Sequence, residues 1–138
     1  MYKRPALFLL FFLLGSTAGF NQKPANADTR SKEQEIMSPL FGTWEIDLRP
    51  SPNDSPYLKE FIVSSFEEGK LRGFFYDSPF SNGRVNSAWG KVYFAFTTAD
   101  NSGTYYHSGH LENGKLYGTS FSPARGFMLP WWSTQKKQ

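Results

Sequence analysis

The chain predicts an all-β domain in which eight antiparallel strands run as an up-and-down meander and close into a small barrel; a two-sheet sandwich is the alternative. Three observations predict it. From Pro39 onward, short aromatic and β-branched runs are punctuated by Gly, Asn, Pro and Asp. The gaps between runs are mostly short, which suits antiparallel neighbours, because parallel pairs need long crossovers. Two hairpin-like stretches, "FEEGKLRG" (66–73) and "LENGKLYG" (111–118), repeat one pattern at an offset of 45 residues. Such similarity arises by internal duplication or because good hairpins converge on one sequence. Closure into a barrel would remove exposed strand edges.

The segments before the domain have a different character. Lys3 and Arg4 precede an apolar run over 5–14 and the small residues "GSTAG", the layout of a secretory signal peptide over 1–18. Cleavage is expected after Ala18, with Ala27 in "ANA" as a second candidate. The run is shorter than the roughly 20 residues of a bilayer span, so no stable span is expected in the mature chain. Residues 19–38 are polar and read as a flexible linker, with a helical turn or so at "SKEQEIM". The domain then occupies 39–138, enough chain for one core.

Charge and cysteine content narrow the function classes. Removing 1–18 leaves 13 basic against 12 acidic residues, a net charge of +1. Nucleic-acid binding, which normally shows as a clustered basic face, is not expected. The chain has no cysteine, which excludes disulfides, thiolate metal sites and a lipidated cysteine anchor. No cofactor is expected, and the exported domain, periplasmic or secreted, is expected to be a monomer stabilised by burial of its aromatic residues, 18% of the chain.

Strands are expected at 41–48, 57–66, 70–77, 83–89, 91–98, 104–112, 115–122 and 127–135. In "FGTWEIDLR", Gly42, Trp44, Ile46 and Leu48 alternate with Thr43, Glu45, Asp47 and Arg49, which puts Trp44 inside. In the next hairpin the expected pairs are Phe66 with Leu71, Ser64 with Gly73 and Ile62 with Phe75. That leaves Phe61, Val63, Phe74 and Tyr76 on the other, also apolar, face. Glu68 fits a two-residue turn poorly, so a bulged loop is the expectation there. In "KVYFAFTT", Val92, Phe94 and Phe96 share a face opposite Tyr93, Ala95 and Thr97, and periodicity leaves open which face is inside. Pro130 suits a strand start or bulge. Trp131 and Trp132 point to opposite faces, one core and one partly exposed.

The stretch "GTYYHSGHLENGKLYGT" contains both histidines, three residues apart. Asn113-Gly114 is the preferred pair for a type I′ turn. It sets the pairs Glu112–Lys115, Leu111–Leu116, His110–Tyr117, Gly109–Gly118, Ser108–Thr119 and His107–Ser120. Leu111, Leu116, Gly109, Gly118, His107, Ser120, Tyr105 and Ser122 then face the interior. His110 faces out, so the two histidines cannot share a metal on a regular strand. The large pair followed by a small pair suits a barrel plugged at one end and roomier in its middle; equally, the glycines permit close packing.

Gly42-Thr43-Trp44 at the start of this meander resembles the Gly-x-Trp opening of the calycin superfamily. The whole of 41–136, with "GTWEIDLRPSP", "VYFAFTT" and "PWW", resembles small exported bacterial lipocalin-like domains. The resemblance implies an up-and-down barrel with Trp44 packed at one end and an apolar cavity, and it makes Lys136 the candidate for the basic residue that caps the tryptophan. The Thr-Asp-Tyr motif and closing arginine of typical lipocalins are absent. "EIDL" stands where avidins place biotin-binding polar residues, so biotin is disfavoured.

The expected function is a non-enzymatic binding module for a small apolar or amphipathic ligand. Trp44, Phe94, Phe96 and Tyr105 are the candidate apolar walls, and His107, Ser120 and Ser122 the polar anchors. A filled core with His107 satisfied by Ser120 is the competing expectation. Two other functions are carried: a protein- or glycan-interaction module using Tyr93, Tyr117 and one of Trp131 or Trp132, and an enzyme using His107 as acid or base.

Overall fold

A computed structural model describes residues 27–137. The signal peptide expected over 1–18, and residues 19–26 of the expected linker, lie outside the described residues. The remainder of that linker is an α-helix, α1 (Ala27–Met37), followed by a 3-10 turn at Ser38–Leu40. Met37 and Leu40 are fully buried, so the end of this segment packs into the domain. The helical turn expected at "SKEQEIM" thus extends to eleven residues.

The strands are β1 (Gly42–Asp47), β2 (Leu58–Glu67), β3 (Lys70–Phe75), β4 (Ser78–Pro79), β5 (Ser81–Asn86), β6 (Val92–Asp100), β7 (Gly103–Glu112), β8 (Lys115–Ser122) and β9 (Phe127–Lys137). β4 is a two-residue arm paired with β3. The others form one antiparallel ring, β1–β9–β8–β7–β6–β5–β3–β2, closed by the pairing of β2 with β1. The chain is an eight-stranded closed barrel, as expected, and not a sandwich. Its thinnest seam is β3–β5, joined at Leu71 and Gly83.

Second-hairpin register follows the turn. Asn113 and Gly114 both have positive φ, 49° and 73°, as a type I′ turn demands, and the six expected pairs from Glu112–Lys115 to His107–Ser120 all form. The first hairpin departs from expectation. Glu68 and Gly69 also adopt positive φ, 51° and 74°, so the turn stays tight despite the glutamate. The irregularity lies instead between Val63 and Ser65, with Val63 opposite Gly73 and Phe61 opposite Phe75. Ser64 is the extra residue, and its hydroxyl donates to the Arg72 carbonyl at 3.1 Å. An inserted residue switches the faces on either side of it. Phe61, Val63 and Phe66 are therefore all buried, whereas Phe74 and Tyr76 are exposed.

Packing divides the barrel along its axis. Phe61 lies within 5.3–6.0 Å of the rings of Phe75, Phe80, Phe94, Phe96 and Trp131, a cluster that fills the middle. A Cβ on Gly118 would overlap the Trp131 ring, and one on Gly109 would crowd Phe94 and the Tyr117 carbonyl. The small pair thus makes room for two large rings and not for a void. At the end bearing α1, the Trp44 indole N–H donates to the Leu40 carbonyl at 2.9 Å. Lys136 lies 4.9 Å from the Trp44 ring centroid and donates to the Pro39 carbonyl at 2.9 Å. This end is stoppered, and Lys136 takes the place that the resemblance suggested. Pro130 pairs with β8, while β1 joins β9 only from Trp132 onward, so no β1 partner needs the missing N–H.

Candidate functional site

Opposite the stoppered end, four connections meet: β1–β2, β3–β4, β6–β7 and β8–β9. They surround a cavity of about 360 Å³. Its floor is made of buried groups, Phe75, Thr98, His107 and Ser120, and its rim of exposed ones, Tyr57, Tyr76, Asp100 and Arg125. Leu48, Leu129, Tyr105 and Phe127 form the wall between them. The interior row of β8 explains the space. Leu116 lies near the stopper, Gly118 is covered by Trp131, and from Ser120 the side chains are too short to fill the barrel.

The floor carries a chain of hydrogen bonds. The Trp131 Nε1–H donates to Ser120 Oγ at 3.0 Å, Ser120 Oγ meets His107 Nδ1 at 2.7 Å, and His107 Nε2 meets Thr98 Oγ1 at 2.9 Å. The register positions every member: His107 stands opposite Ser120 on one side and Phe96 on the other. The imidazole stacks on Phe96 at 4.7 Å and lies 4.3 Å from the Phe75 ring. Burial among these rings penalises the charged form and lowers the His107 pKa to about 4. The ring is neutral at pH 7, a hydrogen-bonding element and a weak base.

The rim is polar and carries charges of both signs. Tyr105 Oη donates to Asp100 Oδ2 at 3.0 Å and receives Arg125 Nη1 at 3.2 Å, while the guanidinium lies 5.4 Å from the Phe127 ring centroid. Across the opening, the hydroxyls of Tyr57 and Tyr76 are hydrogen-bonded to each other, and Lys59 Nζ lies over both rings. Asp47 anchors the adjacent loop. Expected on the solvent-facing side of β1, it is fully buried, binds the Arg49 guanidinium and accepts the Tyr57 N–H at 3.2 Å. The Arg49 hydrogen bond leads the causes that lower its pKa.

Tyr105, His107 and Ser120, three of the seven sequence-predicted site residues, line this cavity. Ser122 is buried on the same inward row, and its Oγ has no hydrogen-bond partner. Phe94 and Phe96 belong to the packed middle, and Trp44 to the stoppered end. Thr98, Phe75, Leu129 and Arg125 were not singled out. Thr98 sits two residues beyond Phe96 on one alternating face, a signal that extending the Val92–Phe94–Phe96 row would have found. Phe75 needed the Ser64 bulge, which alternation alone does not reveal.

His110 lies on the outer surface, where Tyr93, His110, Tyr117 and Trp132 stand in register across four strands. Among the described residues, no group of three or more His, Cys, Asp or Glu side chains is placed to hold a metal ion. Comparison with protein-family models, curated proteins and solved structures finds no match.

Proposed function

We propose that this protein is an exported, lipocalin-like binding module that carries a small apolar or amphipathic molecule in the open end of its barrel, without catalysing a reaction on it. The cavity supports the reading most directly, since about 360 Å³ falls within the range of small-molecule sites. Its aromatic and aliphatic walls, with polar groups converging on the floor, have the composition such sites use. The lipocalin-like part rests on Gly42-x-Trp44 at the start of an eight-stranded meander and on the Lys136 cap over Trp44. Export to the periplasm or beyond rests on the sequence of residues 1–18.

Catalysis by His107 is the weaker reading. Ser120 and His107 are close enough to suggest a nucleophile and base, but the Ser120 oxygen already accepts the Trp131 N–H. An imidazole of pKa about 4 is also poorly matched to proton abstraction near neutrality. The outer row of Tyr93, His110, Tyr117 and Trp132 favours a second reading, an interaction surface for a glycan or protein. Native mass spectrometry of the chain purified from its own source separates the two. A co-purifying molecule released on denaturation is the expected result; a bare mass, with retention on glycan or protein partners, would replace the carrier by the surface reading.

A further inference from the structure

The floor of the cavity carries information about its ligand that follows from counting hydrogens. The chain Trp131–Ser120–His107–Thr98 has three contacts. With the imidazole neutral it has four donor hydrogens: the indole N–H, two hydroxyls and one ring N–H. One hydrogen is therefore always left over. Trp131 only donates, so its N–H is committed to Ser120. If Ser120 then donates to His107 Nδ1, the Nε2–H is given to Thr98, and the Thr98 hydroxyl hydrogen is spare. If His107 carries its proton on Nδ1, Thr98 donates to Nε2 and the Ser120 hydrogen is spare. Both Thr98 and Ser120 line the cavity and both are more than nine-tenths buried. Either tautomer thus leaves, at the floor, a hydroxyl hydrogen that no acceptor among the described residues takes, free to be donated to a ligand oxygen in place of water.

Charge points the same way. Among the residues lining the cavity, Asp100 and Arg125 carry full charges, both are exposed at the rim, and Tyr105 hydrogen-bonds to both. The floor offers no cation to a buried anion and no carboxylate to a buried cation, and an unpaired buried charge is strongly disfavoured.

Resting on the carrier reading above, we infer that the ligand is an uncharged, largely apolar molecule small enough for a space of about 360 Å³, that enters with a carbonyl or hydroxyl oxygen foremost and accepts the spare hydrogen from Thr98 or Ser120. Ring systems suit the lining, where Phe75 at the floor and Tyr105 and Phe127 on the wall offer aromatic faces. Acids and amines of the same size are selected against.

Three naphthalene probes of nearly equal size test this with the full chain by calorimetric titration: 2-acetylnaphthalene, 2-ethylnaphthalene and 2-naphthoate. The acetyl probe should bind at least about tenfold more tightly than the ethyl probe, the equivalent of one hydrogen bond of about 1.4 kcal/mol, and the naphthoate should bind more weakly than the acetyl probe. The acetyl probe should also shift the His107 ring signals in ¹H–¹⁵N spectra while leaving those of His110, on the outer face, in place. Equal binding of the acetyl and ethyl probes would overturn the inference and leave the carrier reading standing. Tightest binding of the naphthoate would do the same. Failure of all three to bind a chain whose circular dichroism is that of a folded barrel would overturn the carrier reading itself.

Discussion

His107 shows how a single position takes its character from what surrounds it. On paper it is a histidine on an alternating strand, and alternation alone separates it from His110 and places it opposite Ser120, as observed. What alternation does not supply is Thr98, brought to Nε2 by the neighbouring strand, or the Phe75 and Phe96 rings that exclude water from the imidazole. Those rings set its titration. The folded pKa is about 4 against an ordinary 6.5, so between these values the unfolded chain binds a proton that the folded chain does not. Stability from this group is fully present above pH 6.5, falls as pH drops through the window, and levels off below pH 4, a change on the order of 3 kcal/mol. An NMR titration should find the His107 midpoint near 4; a midpoint near 6.5 would mean that the ring is hydrated and the floor open to bulk water.

Hairpins were the most legible elements because their turns state their geometry. Asn113-Gly114 supplies two residues tolerant of positive φ, and everything from Glu112–Lys115 to His107–Ser120 follows from it. The hairpin at Glu68-Gly69 has the same turn with a less suitable residue, and the register beyond it departs from expectation because alternation does not locate the bulge at Ser64. An extra residue moves Phe61 and Val63 into the core, and the apolar residues on both faces of this hairpin were its only trace. The positive φ of Glu68 is strained for a residue with a Cβ, whereas asparagine adopts it readily. Glu68→Asn should therefore stabilise the domain by about 1 kcal/mol and raise Tm by roughly 4–8 °C, read by thermal denaturation followed by circular dichroism. An unchanged or lower Tm would show that the turn does not hold Glu68 in that conformation in solution.

At the scale of the whole molecule, the meander and its closure were legible in the number of strand-like runs and the brevity of the links, but the division of the interior was not. Periodicity tells inside from outside; it does not tell which level of a barrel is filled. Trp44 is inside as alternation predicts, and so are Phe94 and Phe96, whose face periodicity leaves open; yet Trp44 lies at the stopper, and Phe94 and Phe96 lie in the packed middle against Phe61 and Trp131. The space left over is at the far end, where Ser120 stands in place of a bulky residue and the ends of β7 and β9 carry Tyr105, Phe127 and Leu129 to the wall. The wall residues come from strands and loops far apart in sequence, which is why their convergence is a property of closure and not of any one segment. In the proposed carrier, the stoppered end, solid middle and open polar-rimmed cup would together hold a ligand, and that proposal stands or falls on occupancy of the cup. A crystal structure of the chain grown with 2-acetylnaphthalene measures it most directly. Density for the probe is expected between Phe75 and Phe127, with its oxygen within hydrogen-bonding distance of Thr98 or Ser120. Density confined to the outer row of Tyr93, His110 and Tyr117, or side chains collapsed into the cup, would contradict it.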